Sequence, residues 1–512
     1  MAKTYANTDD EEVDLLVIGG GINGCGIVRD AAGRGLNVVL CEKDDLGSHT
    51  SSASTKLIHG GLRYLENYDF LLVRHALKER EILLKSAPHI IWPLRFILPH
   101  HEGLRPRWLL RLGLFIYDYI GGRKRLPTST GVNLKKHIAG QFLKQKFTHA
   151  FEYSDCGVQD ARLVILNARD AKRLGASILT HTICTGLTRH ENNWSATVKD
   201  CHTGKINTIT AKAVVNASGP WVEKTLGLVG KNLSSRSVRL VKGSHIIVKK
   251  IFDHDYPYIF QHVDGRILFA IPFEQDFTLL GTTDHDYRGD IDKVGIDQQE
   301  IDYICKGISH YAEKPVTPDQ VVWSYSGVRP LFDDATGNVS KVSRDYELEL
   351  DQQAAPLVSV YGGKVTTFRI LSEQVVDLLR DSLNITQTAW TENSALPGGN
   401  IKHADFDKFV SDSQSKYGWL DKKIVLDYCR NYGTEIDKIL QSLNHTDDLG
   451  EYFGGGLYEK EVTYLMENEW AQSSEDVVWR RTKKGLKLST EEIQKLQQWI
   501  SGSGVKNLHS AA

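Results

Sequence analysis

An α/β fold is what this sequence predicts, and three observations predict it. The apolar run at 14–18 leads into Gly19, Gly21 and Gly24 at G-x-G-x-x-G spacing, and a small-and-apolar segment of helical period follows. A second apolar strand, 37–41, ends in an acid, Glu42. Far downstream, 358–369 (VSVYGGKVTTFR) returns to strand, glycine turn and helix. Together these describe a Rossmann-like domain for a dinucleotide, discontinuous in sequence because a late segment closes its sheet.

Each part of the first motif has its own reason. The turn needs backbone angles closed to residues with a Cβ, a pyrophosphate must approach the main chain, and the helix must pack close on the strand. The helix N-terminus then turns N–H groups and a positive dipole end toward the phosphates. Glu42 is placed to accept the two hydroxyls of an adenosine ribose. A motif this near the N-terminus suggests FAD held by an N-terminal half rather than NAD held by an internal one, although spacing alone separates neither. The following stretch, 48–64 (SHTSSASTKLIHGGLRY), is too rich in hydroxyls and glycine for a helix or strand. It reads as a phosphate-and-ring-binding loop, with a plain surface loop as the alternative.

The 512 residues suffice for two or three domains, and 41% apolar content supports full cores. With 62 basic against 64 acidic side chains the molecule as a whole is no polyanion binder, so nucleic acid is not expected and any anion site is local. Seven cysteines, an odd number with no C-x-x-C pair, fit buried thiols in a reducing compartment, and no metal is expected. The opening MAKTYANTDDEEVD has neither the apolar core of a signal peptide nor the arginines of a presequence. No apolar run approaches the roughly 20 residues that span a bilayer. The expectation is a protein kept on the cytoplasmic side and able to touch a membrane.

Further along, 68–88 reads as a helix with acids and bases on one face and Phe70, Leu77 and Leu84 on the other. Residues 105–125 (RPRWLLRLGLFIYDYIGGRKR) set Trp108, Leu109, Leu112, Phe115 and Ile116 among Arg105, Arg107, Arg111, Arg123, Lys124 and Arg125. That suits an amphipathic helix at a lipid headgroup interface, and equally a core-facing helix with solvated ends. DARLVILNARDAKRLG, within 151–175, is a helix, 177–182 a short strand, and 200–204 the turn of a hairpin. KAVVNASG, 212–219, is an apolar strand closing on small residues, as a close approach to a cofactor requires. From 240 to 283 come strands at SHIIVKKI, RILFAIPF and TLLGTT, with Asp264-Gly265 as a hairpin turn: a mostly antiparallel substrate domain. From Trp390 the pattern is helical and polar, with a capping box at Ser489 and Glu492 before the last helix.

Taken in order, IGGGINGCGIVRDAAGRG, TSSASTKLIHGGLRYLE, EYSDCGVQDARL, LVKGSHI, GTTD, YSGVRPL, SRDYELE, GGKVTTFR and EDVVWRRTKKG closely resemble the FAD-dependent, respiratory glycerol-3-phosphate dehydrogenases of the bacterial aerobic type. The resemblance covers nearly the whole chain. It implies an FAD-binding domain at 11–90, 145–225 and 340–388, a substrate-binding cap at 91–144 and 226–339, and an all-α C-terminal domain at 389–512. Gly157 departs from the family pattern, which has a bulky aromatic there. No D-x-[DN]-x-[DN]-G loop follows Trp390, which favours a calcium-independent bacterial enzyme over mitochondrial relatives. The implied activity is oxidation of sn-glycerol 3-phosphate to dihydroxyacetone phosphate by hydride transfer to flavin N5, with electrons passed to a membrane quinone, in glycerol and glycerophospholipid catabolism. The implied location is the cytoplasm, peripheral on the cytoplasmic face of the inner membrane, and a homodimer is compatible with it.

Such a reaction needs a base for the hydroxyl proton, an anchor for the phosphate and a stabiliser for the reduced ring. Arginine forks suit a phosphate dianion best, and the resemblance places Arg63, Arg329 and Arg344 there, with Tyr64 completing the pocket. His245, at the end of LVKGSH, is the matched candidate for the base. With a reference pKa of about 6.5 it can be neutral near pH 7, helped by a neighbouring arginine. Lys364, after the Gly-Gly turn, is implied at the pyrimidine side of the flavin, where reduction brings negative charge. Catalytic roles thus fall to His245, Arg329 and Lys364. Cofactor contacts fall to Gly19, Gly21, Gly24, Glu42, Ser51, Ser52, Lys56, Gly219, Gly362, Gly363, Lys364 and Thr366. Two alternatives share much of this pattern: an oxidase of the same fold that returns electrons to oxygen as peroxide, and a flavin-binding protein without turnover. The second would have no reason to keep Arg63, His245, Arg329 and Lys364 together.

Overall fold

A run such as VDLLVI must be buried on both faces, and Val13–Ile18 is, as the central strand of the first of two large sheets. The computed structural model describes residues 12–67, 69–122, 125–230, 236–262, 264–332 and 345–503, without the side chains of Arg63, Glu66 and Asn67. The first sheet runs Glu347–Asp351, Leu357–Tyr361, Ile206–Asn216, Val13–Ile18, Val38–Cys41 and Ser177–Leu179. Beyond the antiparallel first pair its neighbours are parallel. Thr182–Arg189 and Trp194–Asp200 extend it as an antiparallel flap beside Ile206–Asn216. The sheet is therefore assembled from three distant stretches of chain, as the late glycine-turn return predicts.

Helix Ile22–Gly33 covers one face, flanked by Asp160–Arg173 and Phe368–Leu378. Its buried charges are paired: Arg29 donates to Asp170 at 2.7 Å, and Arg34 pairs with Asp30 of its own helix at 2.7 Å and donates to Asp377 at 2.5 Å. Stranding one partner of such a buried pair costs about 3–5 kcal/mol, so these pairs also fix how the three helices sit.

The second sheet is mostly antiparallel. It runs His285–Asp286, Val238–Lys249, Phe277–Gly281, Ile267–Phe273, Tyr258–Gln261, Ile91–His100, His149–Val158 and Leu57–Ile58. Val321–Phe332 pairs with Val238–Lys249, and Thr130–Asn133 with His149–Val158. His149–Val158 and Leu57–Ile58 thus lie in this second sheet, although the expected segments 11–90 and 145–225 would put them in the first. The reason is register: Ile91–His100 and His149–Val158 pair along their full length. Gly157 belongs to that register. It faces Trp92, whose indole lies 2.8 Å from where a Cβ on Gly157 would stand, so the missing aromatic is supplied across the strand pair.

Helix Phe70–Ser86 turns Val73, Leu77 and Leu84 inward, but Phe70, in its first turn, is exposed. Glu79 and Arg80, expected on a polar face, are buried against Arg369 and Asp155. Helix Arg107–Ile120 is apolar on two faces. Leu114 and Tyr117 face the core, while Trp108, Leu112, Phe115 and Tyr119 stand 69, 47, 54 and 54% exposed in one stripe. Arg123 and Lys124 lie outside the described residues. Among the described residues no helix is long and apolar enough to cross a membrane.

The C-terminal domain is helical around its own core of Val425, Tyr428, Leu440, Val462, Leu465 and Leu496, and the Ser489–Glu492 capping box opens its last helix. It is not wholly α: Tyr452–Gly454 pairs with Leu457–Tyr458, because Gly454, Gly455 and Gly456 take φ of +103°, +56° and +77° and so allow the reversal.

Where this domain meets the first, His89 is fully buried with neither ring nitrogen bonded. Burial above all, then Arg162 and Arg430, lower its pKa from 6.5 to about 3. The unfolded chain takes up that proton below about pH 6.5 and the folded chain does not, so stability is complete above this pH and is lost as pH falls toward 3. This one group should contribute a slope of about 1.4 kcal/mol per pH unit in that window. Urea titrations at pH 7.5 and 5 check it: His89→Leu should lose less stability between the two than the native chain, and an equal loss would assign the slope elsewhere.

Candidate active site and cofactor cavity

The first glycine turn opens on an elongated cavity at the carboxyl ends of the parallel strands, where open α/β sheets bind their ligands. Gly19 and Gly21 line it. A Cβ on Gly19 (φ +113°) would stand 2.6 Å from the Ala217 carbonyl, and one on Gly24 only 1.9 Å from the Gly19 carbonyl. Gly24 therefore seats the helix on the strand rather than lining the cavity. Ser51 lines it at the helix N-terminus, its Oγ accepting from the Ile22 N–H at 3.0 Å. Glu42 is fixed further along, Oε2 accepting from the Gly20 N–H at 2.6 Å and Oε1 from the Asp44 N–H at 2.9 Å. Each oxygen keeps a second lone pair for a ribose hydroxyl. Burial raises the pKa of this carboxyl, and the two N–H bonds oppose that shift. Gly219 (φ +59°) forms part of the wall, and Gly362 and Gly363 (φ +79° and +108°) close another side.

Asn23 Oδ1 and Ser48 Oγ, on residues that line this cavity, are buried without a partner, and such orphans are what a polar ligand satisfies. A main-chain cradle that side chains would fill, a helix N-terminus, a ribose-reading acid and orphaned polar atoms together fit a flavin dinucleotide. Three expected contacts lie behind the wall instead. Ser52 Oγ donates to the His49 carbonyl at 3.2 Å. Lys56 is drawn into an ion pair with Asp160, 2.9 Å from both oxygens, with its ammonium 4.7 Å from the Tyr325 ring centroid. Thr366 Oγ1 accepts from the His59 N–H at 3.3 Å.

A second, smaller cavity opens beside the second sheet, lined by the polar His59, Tyr64, Arg266, Thr282, Asp284 and Arg329 and by the apolar Phe96, Ile259 and Phe269. Arg329 reaches it from Val321–Phe332 by passing over Gly243. A Cβ there would lie 2.4 Å from Nη2, so the glycine of LVKGSH is what admits the guanidinium. Nη1 donates to Asp284 Oδ1 at 2.9 Å and Nη2 to Thr282 Oγ1 at 3.3 Å.

His245 lies on the neighbouring strand, fully buried. Its Nε2 is 3.0 Å from Thr55 Oγ1, and its ring stacks on Tyr325 with centroids 4.9 Å apart and planes 17° from parallel. Gly281 opposite makes the room, since a Cβ there would lie 2.4 Å from the imidazole Cδ2. Nδ1 is buried without a partner. Burial first, then Arg329 and Lys56, hold the imidazole well below its ordinary pKa, so it is neutral at pH 7. Lys364 follows the Gly362-Gly363 turn of the first cavity, its ammonium 4.1 Å from the centroid of Tyr64 in the second. The side chain of Arg63 and the whole of Arg344 lie outside the described residues.

Thr55, Gly243, Gly281, Asp284 and Tyr325 carry this geometry and were not singled out from sequence. Each stands inside a distinctive motif (TSSASTK, LVKGSHI, GTTD, YSGVRPL), which was the available signal.

A family model described as FAD dependent oxidoreductase matches residues 14–368, and one described as the C-terminal domain of alpha-glycerophosphate oxidase matches residues 389–500. The chain is 47% identical over 498 residues to a D-erythritol 1-phosphate dehydrogenase of Brucella abortus, covering 97% of this chain and 99% of that one. It is 46% identical over 492 residues to a glycerol-3-phosphate dehydrogenase of Pseudomonas aeruginosa, covering 96% and 95%. Its structure is similar to that of the glycerol-3-phosphate dehydrogenase of Bacillus halodurans complexed with FAD, with a TM-score of 0.78 and 27% identity over 98% of this chain and 92% of that one.

Proposed function

This chain belongs to the FAD-dependent oxidoreductase family, and on that premise we propose that it oxidises sn-glycerol 3-phosphate to dihydroxyacetone phosphate and passes the electrons to a membrane quinone. The observation that carries the reading is a neutral, buried His245 within the electrostatic reach of Arg329, whose fork lines the second cavity, with the Lys364 ammonium on the Tyr64 ring of that cavity.

FAD held along the first cavity by Glu42, Ser51 and the glycine turns would supply the acceptor for the hydride. His245 takes the hydroxyl proton at Nδ1: with Thr55 Oγ1 accepting from Nε2–H, the lone pair sits on the unpartnered nitrogen. Arg329 holds the phosphate, and Asp284 and Thr282 keep its fork in plane. Lys364 and the N–H groups of the adjoining glycine turn would favour negative charge on a reduced ring bound beside them.

The quinone part of the reading rests on helix Arg107–Ile120. Its inner residues Leu114 and Tyr117 share one core cluster with Phe96 and Ile259 of the second cavity, while its outer stripe is apolar and exposed. Such a face, with Arg107 and Arg111 on the same helix, suits a headgroup interface on the cytoplasmic side, where a lipophilic acceptor dissolves. The relative from Brucella abortus favours a second substrate, a four-carbon polyol phosphate, which the same anchor would hold.

Anaerobic mixing of the flavin-loaded protein with sn-glycerol 3-phosphate, or with D-erythritol 1-phosphate, tests both substrates by bleaching of the flavin absorbance. Recovery on adding quinone in anionic vesicles should be fast, and recovery in air slow. Fast recovery in air would make the protein an oxidase. No bleaching with either polyol phosphate would end the substrate reading.

A further inference from the structure

The EDVVWRRTKKG motif takes no part in the chemistry above, yet it joins the C-terminal domain to both sheets. Asp476–Arg481 forms a single π-helical turn, a form frequent at functional sites. From it Arg480 Nε and Arg481 Nη2 donate to Asp45, at 2.5 and 2.8 Å, three residues before Ser48 of the cofactor cavity. Trp479 lies flat on Trp323 of the cap, with centroids 4.2 Å apart and planes 8° from parallel.

That contact leads to the base. Trp323 and Tyr325 alternate on one face of Val321–Phe332, with centroids 5.2 Å apart. In the ladder with Val238–Lys249, Trp323 stands opposite Ile247 and Tyr325 opposite His245. Tyr325 is held at its far end as well, its hydroxyl donating to the Ser54 carbonyl at 2.8 Å. The rings of Trp479, Trp323, Tyr325 and His245 therefore form one continuous chain of contacts from the C-terminal domain to the imidazole, stacked at both ends and tilted by 41° between Trp323 and Tyr325.

We infer that Trp479 is a positioning residue for hydride transfer: by clamping Trp323, and through it Tyr325, the C-terminal domain sets the plane and depth of the His245 ring. The inference rests on His245 as the base. A lone pair on Nδ1 lies in the ring plane, so a tilt of the ring misdirects it. Loss of alignment on the scale of an ångström costs up to about a hundredfold in rate.

The test uses the full-length, FAD-loaded protein with Trp479→Ala, Trp479→Phe and His245→Asn, and the Trp479→Ala/His245→Asn double variant. Trp479→Ala should slow the limiting anaerobic rate of flavin reduction roughly tenfold to a hundredfold, with FAD content and substrate Kd unchanged. Trp479→Phe, which keeps a flat face, should restore most of that rate. A crystal structure of Trp479→Ala should show His245 turned on Tyr325. In the double variant Trp479→Ala should add nothing to the loss from His245→Asn, because both act through one ring.

An unchanged reduction rate in Trp479→Ala beside a strongly impaired His245→Asn overturns the inference alone. So does a Trp479 effect that multiplies in full onto His245→Asn. Normal turnover in His245→Asn overturns the base reading and the inference with it. Should the alanine variant fail to retain FAD, Trp479→Leu, which fills the space without a flat face, is read in the same way.

Discussion

His245→Asn should remain a folded, yellow protein whose flavin is reduced by substrate about 100- to 10,000-fold more slowly, the usual range for a lost general base. Asparagine is smaller than the imidazole, so the fully buried site is not overpacked. The residues that line the FAD cavity are separate from it, and cofactor content should not change. What disappears is the one nitrogen in the described site that is buried, neutral at pH 7 and unpartnered. Stopped-flow measurement of anaerobic flavin reduction decides the matter, and a rate near the native one removes His245 from the role.

The second large effect is expected at Arg329. Arg329→Met should raise KM and lower kcat/KM by roughly 30-fold or more, since losing one side of a close charge pair costs about 2–5 kcal/mol. Arg329→Lys, which keeps the charge and loses the fork across Asp284 and Thr282, should fall between. A second signature distinguishes an anchor beside the base from a remote surface cation. Arg329 is one cause of the depressed pKa of His245, so its removal lets that pKa rise toward the ordinary histidine value. As pH falls, the imidazole of Arg329→Met should then take up its proton, and activity should fade, at a higher pH than in the native protein. A pH profile of kcat/KM without that displacement would separate the two residues.

What the sequence made legible was local. The strand, turn and helix through Ile22–Gly33 and their return at Leu357–Tyr361 and Phe368–Leu378 are written in consecutive residues, and so is the acid at Glu42. His245 and Arg329 could be picked out by motif. The residues that tune them could not, because Gly281, Tyr325 and Gly243 act through the register of strands far apart in the chain. His149–Val158 reads naturally with the helix Asp160–Arg173 that follows it, yet its hydrogen bonds go to Ile91–His100 in the other sheet. The cations of Trp479–Lys484 look like a solvated face until Asp45, 436 residues from Arg481, is seen to hold two of them. Charge that pairs over such a distance leaves no periodic trace.

The patchwork origin of the first sheet also bears on how the protein is made. Val13–Ile18 leaves the ribosome early, but one of its two neighbours, Ile206–Asn216, comes almost two hundred residues later, and Leu357–Tyr361 later still. At about 5–20 residues per second of synthesis, that first strand waits tens of seconds with one edge open. An apolar strand with an unfilled edge invites pairing with other chains. Yield in a cell should therefore depend on chaperone supply and on the pace of translation more than on the stability of the finished molecule.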